Sequence, residues 1–443
     1  MRVELADLQD CFEGVIPAAV ATLDADGVPN VSYLSQVHLV DDQHIALSNQ
    51  FFSKTAANIQ ATGRGTVMVV SGRTGAQHML DVVHVGSLAH GDIYDRMSAQ
   101  LAAISSQHGL AEAMRLKSAE VYRVTGRRAV HAPTPPEPVP APAPPGASLA
   151  RAARLTARIA ASPEADAVLD NALDGLVRDL GFEAVMALVF DPATQRLSAL
   201  GSRGYDRQGA GAEVALADGA IGIAAAHRRA IRFNDVSRGH RLAAAVSNVT
   251  DLDAARLIPL PGLASAQSQL AAPIVSRGEL FGVLFAESAK RFAFTPEDED
   301  ALSLVGVQLA ASLRLAELEA REPVTALPAA PGRLAERRFQ VRYHAHDDSL
   351  FIDGAYIIKG VPGRLLFHFL TIGAATGRRD FTNREIRLDP TLRLPELKDN
   401  LETRLILLRR RLEEREAPAR LTRPARGRIR LELDGRPELE IVP

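Results

Sequence analysis

The chain has 443 residues, of which 47% are hydrophobic and 23% charged, with a formal net charge of −2. This length exceeds what one hydrophobic core supports, so about three domains are expected. A single cysteine, Cys11, excludes an intramolecular disulfide or a zinc site built from several cysteines, and it fits a reducing compartment. The N-terminal stretch does not have the pattern of a signal peptide, and there is no uncharged apolar run long enough to span a membrane. A cytoplasmic protein without a membrane partner is predicted.

The small net charge conceals an uneven distribution. From residue 331 onward the chain carries 23 lysines and arginines against 17 acidic residues, or +6. The whole chain has 51 against 53, so the preceding residues carry 28 against 36, or −8. A basic C-terminal region on an acidic body suggests a nucleic-acid partner for that region.

Two proline-rich stretches divide the chain. HAPTPPEPVPAPAPPGAS (131–148) contains eight prolines and favours extended polyproline II, which predicts a semi-rigid spacer or a peptide for a proline-binding module. A second break falls near REPVTALPAAPGRLAE (321–336). We name the resulting segments the first unit (1–130), the second unit (149–322) and the third unit (335–443).

The first unit alternates short strand-like runs with turns, among them Asp26-Gly27 and Asp41-Asp42. One helix is predicted from FFSKTAANIQATG and another around 94–116. Five or six short antiparallel strands with few helices favour a small β-barrel.

The stretch LSNQFFSKTAANI resembles the split-barrel flavin-binding family of pyridoxamine 5′-phosphate oxidase. In that family the corresponding turn binds the flavin phosphate through basic residues and a helix start, an arrangement that favours anions. Here Lys54 is the only cation of the turn, and Ser35 and Gln36 stand where the oxidases tend to carry an arginine. The residues that the resemblance assigns to an FMN site are Ser35, Gln36, Ser53, Lys54, Thr55 and Asn58.

Other interpretations of the first unit remain open. The barrel could serve only for dimerisation, with Ser53 as a simple helix N-cap, or it could bind a different ligand. His84 and His90 could contact haem, as histidines do in relatives of this fold, or be structural. Cys11 is expected to be a small buried hydrophobic residue.

The second unit begins with two helical segments broken at Ser162-Pro163 and ends in a long helix that Thr295 can cap together with Asp298. The stretch AAPIVSRGELFGVLFAES, followed by RFAFTPEDEDALSLVGVQLA, resembles the final hairpin and exit helix of a GAF domain. The resemblance implies a six-stranded antiparallel sheet in an α/β/α sandwich, with a small-molecule pocket over one face.

The ligand of the second unit is not defined by the sequence. No cysteine is available for a covalent bilin, and the signature of cyclic-nucleotide-binding members is absent. The segment RFNDVSRGHRLAAAVSNVTDL would cover the pocket, and the unit could alternatively be an empty dimeric scaffold. The apolar stripe of the exit helix, Leu302 to Leu313, could pack within its own unit or pair with a second chain. The candidate ligand-binding residues are Asn234, Asp235, His240 and Arg241.

The third unit has the predicted order hairpin, helix ended by Gly377, short helix capped by Thr382, long helix (394–415) and final hairpin turning at Pro424–Gly427. This order resembles the winged-helix output domain of bacterial response regulators. The resemblance makes DNLETRLILLRRRLEE the recognition helix and LTRPARGRIRLEL the wing.

The long helix could flank a coiled coil, present a solvated basic face or bind nucleic acid. Leu397, Leu401, Leu405, Leu408 and Leu412 cover little more than two heptads, which is short for a coiled coil. Five arginines follow with no acid from 417 to 431, which favours contact with double-stranded DNA over a solvated face. Ile406 and Leu407 leave the leucine stripe, and a winged helix that binds protein or nothing remains an alternative. The candidate DNA-binding residues are Thr403, Arg404, Arg410, Arg411, Arg423, Arg426 and Arg428.

The sequence therefore predicts a multidomain α+β protein: a split β-barrel, a GAF sandwich and a C-terminal winged helix. The predicted function is a one-component transcriptional regulator that senses a cofactor or metabolite. A homodimer is predicted, because similar proteins commonly pair in this way. The alternatives are an FMN-dependent oxidoreductase with regulatory domains and an inert interaction scaffold. No metal site and no catalytic residue is predicted.

Overall fold

The computed structural model describes residues 4–50, 53–107, 114–130, 149–236, 258–320, 337–394 and 400–443. Both proline-rich stretches lie outside the described residues. The first unit builds a seven-stranded sheet, the second a six-stranded sheet, and the third a four-stranded and a three-stranded sheet. This agrees with a multidomain α+β architecture.

The first unit is an antiparallel sheet whose strands are β1 (Ala18–Leu23), β2 (Pro29–Leu34), β3 (Val37–Leu39), β4 (His44–Asn49), β5 (Arg64–Val70), β6 (Gln77–Leu88) and β7 (Ser118–Ala129). Their spatial order is β2-β1-β5-β6-β7-β4-β3. A 3-10 helix (Leu5–Cys11) and the helices α1 (Lys54–Thr62) and α2 (Asp92–Gln107) accompany the sheet. Alternate residues such as Val67, Val69, Leu80 and Val82 are buried in one interior. The sheet has one strand more than the five or six predicted. The short strand β3 has only three residues, too few to show an alternating pattern in the sequence.

The second unit contains β8 (Ala184–Asp191), β9 (Arg196–Arg203), β10 (Glu213–Ala215), β11 (Ile231–Phe233), β12 (Ser268–Ser276) and β13 (Glu279–Ser288). They pair antiparallel in the order β10-β9-β8-β13-β12-β11. The six-stranded sheet predicted from the sequence is thus confirmed.

Helices cover both faces of this sheet. They are α3 (Leu149–Ala160), α4 (Ala165–Arg178), α5 (Gly219–His227) and α6 (Pro296–Glu319). Alternation along β13 sends Leu284 and Ala286 toward the α3, α4 and α6 side, and Val283 and Phe285 toward α5. On the α5 side the core also includes Ala99 and Ala103 of α2, so a helix of the first unit packs on the second.

Helix α6 begins as predicted. The Thr295 hydroxyl accepts a hydrogen bond from the Asp298 backbone N–H at 3.3 Å, and the Asp298 carboxylate accepts one from the Thr295 N–H at 2.8 Å. The stripe Leu302, Val305, Leu309 and Leu313 packs within the same core as the sheet. A second set of apolar residues on the helix is exposed: Leu304, Val307, Leu315 and Leu318.

Helix α6 is also long and apolar enough to cross a membrane by length and composition. The sequence analysis considered only uncharged apolar runs, whereas this helix has charged residues among its apolar ones. More than half of that window is buried inside the structure, which is typical of a core helix.

The third unit opens with β14 (Arg338–His344), β15 (Ser349–Ile352) and β16 (Ala355–Ile358), and the last strand, β20 (Arg436–Val442), pairs in parallel with β14. Between them lie α7 (Gly360–Thr376), β17 (Asp380–Thr382), α8 (Asn383–Leu388), a 3-10 turn (Pro390–Leu392) and α9 (Leu401–Glu414). The strands β18 (Ala419–Thr422) and β19 (Arg428–Leu433) complete a second sheet in the order β17-β19-β18. Gly377 ends α7 in the left-handed region and Thr382 caps α8, as predicted.

The cores of the second and third units are continuous. One cluster of buried side chains runs from Leu173 of α4 and Leu309 of α6 to Ile406 and Leu408 of α9 and Phe369 of α7. Helix α9 therefore lies inside the contact between the two units.

Candidate functional site

The residues predicted for FMN divide into buried and exposed groups. The Thr55 hydroxyl, on the first turn of α1, lies 2.8 Å from the Ser32 hydroxyl and accepts a hydrogen bond from Asn30 Nδ2 at 3.0 Å. Asn58 Nδ2 donates to the Thr22 hydroxyl at 3.0 Å. Both side chains are buried and attach α1 to β1 and β2, so they hold the helix on the sheet.

The other predicted FMN residues lie in different places. Lys54 and Ser53 are exposed at the start of α1, and the Ser53 side chain makes no capping hydrogen bond. Ser35 donates to Gln50 Oε1 at 3.1 Å. Gln36 is buried and lines a small cavity of about 60 Å³ toward the second unit. The structure thus brings Ser53 and Lys54 together and separates Gln36 from them.

A larger cleft opens on the first unit, with a volume of about 900 Å³. It is lined by the β1–β2 turn, by Thr62 at the end of α1, and by Arg64, Asp81 and Arg123 of the sheet. None of the six predicted FMN residues lines it, because they lie at the opposite end of α1 or within the packing of the unit.

The two histidines and the cysteine noted in the first unit lie in different environments. His84 Nε2 lies 2.9 Å from the Glu120 carboxylate and its ring packs edge-on against Tyr122. His90 is exposed. Cys11 is buried, and burial raises the pKa of its thiol to about 12, assisted by the charge of Asp10. The described residues hold no group of three or more His, Cys, Asp or Glu side chains that could bind a metal ion.

Two of the predicted ligand residues of the second unit, Asn234 and Asp235, are described, and both contact other parts of the protein. Asn234 donates through Nδ2 to Glu13 at 3.0 Å and to the Phe294 carbonyl at 3.1 Å. Asp235 pairs with Arg291 at 2.6 Å. His240 and Arg241 lie outside the described residues. Asn234 is a joint between the first and second units.

Asn234 belongs to a charge network that sequence analysis missed. Arg232 of β11 lies 2.7 Å from the Glu13 carboxylate and 3.1 Å from Glu299 at the start of α6. Glu299 also pairs with Arg96 of α2 at 2.5 Å. Two of these four charges come from the first unit. Such a network joins residues more than 60 positions apart, and no local pattern reveals it.

Helix α9, the predicted recognition helix, is buried on two faces. Leu401, Leu405, Leu408 and Leu412 are buried, as the leucine stripe predicts, while Leu397 lies outside the described residues. Ile406 and Leu407, which leave the stripe, are 0% and 5% exposed. A helix that is apolar on both sides is a buried helix. Within its described residues, α9 therefore does not present the exposed basic face that the sequence predicts for it.

Two arginines of α9 make ion pairs with the second unit. Arg409 Nη2 lies 2.6 Å from Asp166, and Arg410 Nη2 lies 2.8 Å from Asp170, both aspartates on α4. Arg410 also donates to the Leu200 carbonyl of β9 at 3.4 Å. Burial lowers the pKa of Arg410, and the neighbouring aspartates oppose that shift.

The remaining predicted residues of α9 are held within the protein. Arg411 donates through Nε to the Ile357 carbonyl of β16 at 2.8 Å, and burial lowers its pKa. Thr403 donates to the Asn400 carbonyl at 2.8 Å, and Arg404 lies 3.9 Å from Asp191 of β8. Arg411 is buried, and its guanidinium attaches α9 to the sheet of its own unit, so in this structure it is not exposed as a DNA contact would be.

The arginines of the β18–β19 hairpin differ in exposure. Arg423 pairs with Glu402 and lies 3.4 Å from Asp166. Arg426 is exposed, pairs with Glu319 at the end of α6 and donates to the Pro163 carbonyl at 2.9 Å. Arg428 is half-buried. The turn of this hairpin contains Gly427, whose positive φ would strain any other residue and whose added Cβ would lie 2.9 Å from the Ala320 carbonyl.

Both ends of α9 are bound by the second unit. Glu317 of α6 accepts a hydrogen bond from the Glu402 backbone N–H at 2.9 Å, whereas the N-cap residue Asn400 makes no side-chain cap. At the other end the Glu414 carboxylate accepts from the Gly209 and Ala210 backbone N–H groups at 2.9 and 3.0 Å. We call the contact of α9 and the β18–β19 hairpin with α4, α6 and β9 the docking interface.

Family models match two parts of the chain. Residues 162–314 match the GAF domain, and residues 6–131 match the pyridoxamine 5′-phosphate oxidase model. A search of curated proteins finds no match.

Solved structures resemble single units. The GAF domain of a phosphoenolpyruvate-protein phosphotransferase from Acinetobacter is 19% identical, with 38% of this chain and 94% of that chain covered and a TM-score of 0.32. Residues 122 to 287 of a methyl-accepting chemotaxis protein are 30% identical, with coverages of 38% and 99% and a TM-score of 0.29. An FMN-binding protein from Syntrophomonas wolfei subsp. wolfei is 20% identical, with coverages of 28% and 86% and a TM-score of 0.24.

Proposed function

We propose that this chain, which carries a pyridoxamine 5′-phosphate oxidase-like domain and a GAF domain, is a signal-responsive transcriptional regulator whose third unit binds double-stranded DNA. The observation that carries the proposal is the docking interface, which puts the arginines of α9 and of the β18–β19 hairpin in direct contact with the GAF domain. A sensor that touches its output element can change the availability of that element.

The third unit supports a DNA-binding role through its element order and charge. The strands β14 to β16, then α7, α8, α9 and the β18–β19 hairpin follow one another along the chain, an order that resembles that of a winged helix and supports the proposal. In such a fold one helix enters the major groove while neighbouring elements contact the backbone. The arginines from Arg420 to Arg430 would supply phosphate contacts.

The first unit would supply a cofactor or a dimer contact. FMN is the cofactor that the family match favours, with its phosphate near the exposed Lys54 at the start of α1. A homodimer is supported by the exposed apolar residues of α6, Leu304, Val307, Leu315 and Leu318, which recur at helical spacing. DNA binding would place the protein in the cytoplasm.

A flavin-dependent oxidoreductase is the second candidate, favoured by the match of residues 6–131. The two candidates differ in a simple measurement. An oxidoreductase purifies yellow, or turns yellow with added FMN, and consumes a reduced nicotinamide cofactor. A regulator that uses flavin only as a signal binds FMN without that turnover.

The proposal is tested by DNA binding of the full chain, measured by fluorescence anisotropy over a series of salt concentrations. We expect binding that weakens steeply with salt, and a loss on the order of tenfold for the double variant Arg426→Gln with Arg428→Gln. The matched control is Arg338→Gln with Arg342→Gln, which removes two exposed charges of β14 that pair with Glu438 and Glu440 of the neighbouring strand β20, away from the hairpin. The absence of duplex binding at low salt, or equal losses in both double variants, would overturn it.

A further inference from the structure

Helix α4 presents two aspartates one turn apart to the docking interface. Asp166 and Asp170 are spaced i, i+4 and lie on one face of the helix. They pair with Arg409 at 2.6 Å and Arg410 at 2.8 Å, and Asp166 is also 3.4 Å from Arg423. Two carboxylates thus receive arginines from both the helix and the hairpin that the proposed function assigns to DNA.

The guanidinium groups of these ion pairs are mostly covered, although Asp170 itself is 41% exposed and Arg409 is 26% exposed. The side chains of Asp166, Arg410 and Arg423 are 12%, 13% and 16% exposed. A DNA phosphate cannot approach the same guanidinium groups while α4 covers them. Pairing with α4 and pairing with a duplex are therefore mutually exclusive states of one basic surface.

We infer that Asp166 and Asp170 act as an internal substitute for the DNA backbone and hold the DNA-binding surface closed until the docking interface separates. This inference rests on the proposed function, because it specifies how the same arginines are regulated. The closed state is favoured by the carboxylates of α4, and the open state is favoured by a polyanion that can replace them.

The closed state also contains contacts that do not depend on α4. Glu317 caps the first turn of α9, and the Glu414 carboxylate accepts two backbone N–H groups at Gly209 and Ala210. These contacts fix where α9 lies on the second unit. Removing the α4 charges leaves them in place but strands Arg409 and Arg410 in a buried site, which favours separation.

Strand β9 offers a route from the sheet of the second unit to this contact. Arg203 of β9 lies 2.7 Å from Asp170 and 2.7 Å from Asp174, so it shares Asp170 with Arg410. The Leu200 carbonyl of the same strand accepts from Arg410. A ligand that shifts β9 would move Arg203 relative to Asp170. That would change the strength of the Asp170–Arg410 ion pair, and with it the stability of the docking interface.

The test uses the full chain with Asp166→Asn and Asp170→Asn combined. Two quantities are measured: hydrogen exchange of the α9 amides, and anisotropy of a labelled mixed-sequence DNA duplex. We expect faster exchange across α9 and DNA binding tighter by on the order of tenfold or more. The matched control is Asp179→Asn, which removes a carboxylate from the end of α4 that pairs with Arg158 of α3 rather than with the third unit.

Each outcome decides one of the two ideas. Unchanged α9 exchange overturns the inference, whether or not DNA binds. Faster exchange together with tighter binding supports both ideas, whereas faster exchange without any DNA binding supports closure by α4 and overturns the proposed function. If the double variant does not fold, Glu414→Gln weakens the same interface from the third unit, and the same two quantities are measured on it.

Discussion

The Glu317 carboxylate of α6 accepts the Glu402 backbone N–H at 2.9 Å, so a side chain of the second unit caps the first turn of a helix in the third. The same carboxylate pairs with Arg387 of α8. Glu317 is buried, and a buried carboxylate that serves both as a helix cap and as an ion-pair partner couples the stabilities of the two units.

Glu317→Ala should destabilise the protein by about 3 kcal/mol, because it leaves the Arg387 guanidinium buried without this partner and uncaps α9. Thermal unfolding measures the effect. Glu319→Ala is the matched control two residues further along α6. Its exposed pair with Arg426 predicts a change below about 1 kcal/mol, and equal effects of the two variants would contradict the coupling.

The joint between the first and second units predicts a pH dependence through His38. Burial, reinforced by Arg96, lowers the pKa of His38 from 6.5 to about 4. The unfolded chain therefore binds a proton that the folded chain does not between these values. The contribution is fully present above pH 6.5 and is lost as the pH falls toward 4, up to about 3 kcal/mol.

Thermal unfolding of the wild type and of His38→Asn across this pH range isolates that contribution. Asparagine keeps a polar side chain but cannot titrate, so the variant should lose less stability on acidification than the wild type. His78, His227 and His368 also have lowered pKa values and contribute equally to both proteins. Parallel pH profiles would show that His38 is not the responsible group.

Arg410 and Arg411 are neighbours in α9 but contact different units, Arg410 the second unit and Arg411 its own. Substitution of Arg411 should therefore affect the stability of the third unit. Arg411→Ala removes a guanidinium that binds the Ile357 carbonyl inside the third unit, so a loss of about 2 kcal/mol of stability is expected. Arg415→Ala, on an exposed residue just after α9, is the control and should change little. Denaturation by guanidinium chloride measures the free energy of unfolding of both variants. An unchanged free energy in Arg411→Ala would contradict a structural role for this residue.

The sequence predicts features that depend on nearby residues, but it does not predict which distant residue each arginine of α9 contacts. Local signals were sufficient for the Thr295–Asp298 capping box, the Gly377 helix end and the hairpin turns, because the partner residues lie within a few positions. The leucine stripe of α9 was likewise predicted from its period. Arg409 and Asp166, in contrast, are 243 residues apart, and no periodicity links them.

The second buried face of α9 illustrates the same limit. Ile406 and Leu407 are visible in the sequence as apolar residues outside the stripe, which indicates a second contact but not its partner. Helix α9 as a whole contacts α4, α6 and β9, which come from distant segments of the chain. Two of the predicted FMN residues illustrate the limit as well, since Thr55 and Asn58 attach α1 to strands that lie more than 20 residues away in sequence.

Lys54 and Thr55 are adjacent at the start of α1, but one is exposed and the other buried. Their substitution should therefore affect FMN binding and stability separately. Lys54→Ala should weaken FMN binding by about tenfold without changing stability, because Lys54 is exposed and supplies the cation of the proposed phosphate site. Thr55→Val should lower stability by about 1 kcal/mol, because it removes the hydroxyl bound to Ser32 and Asn30. FMN fluorescence quenching and thermal unfolding measure the two effects. Unaltered FMN affinity in Lys54→Ala would exclude this turn as the phosphate site.

Gly201 of β9 provides a test of docking that leaves every charge in place. A Cβ added at Gly201 would lie 1.8 Å from Arg410 Nη1, and Arg410 is held in position by Asp170. Gly201→Ala should therefore displace the Arg410 guanidinium and weaken docking by about 1–3 kcal/mol. Faster hydrogen exchange of the α9 amides would report this.

The matched control for that variant is Gly262→Ala, also in the second unit, where an added Cβ comes no closer than 3.8 Å to the Glu287 carboxylate. It should leave α9 exchange at the wild-type rate. If Gly201→Ala also leaves α9 exchange unchanged, then Arg410 can leave its site on β9 without loosening the helix. In that case the apolar contacts of Ile406 and Leu407, rather than the ion pairs with α4, would hold the two units together.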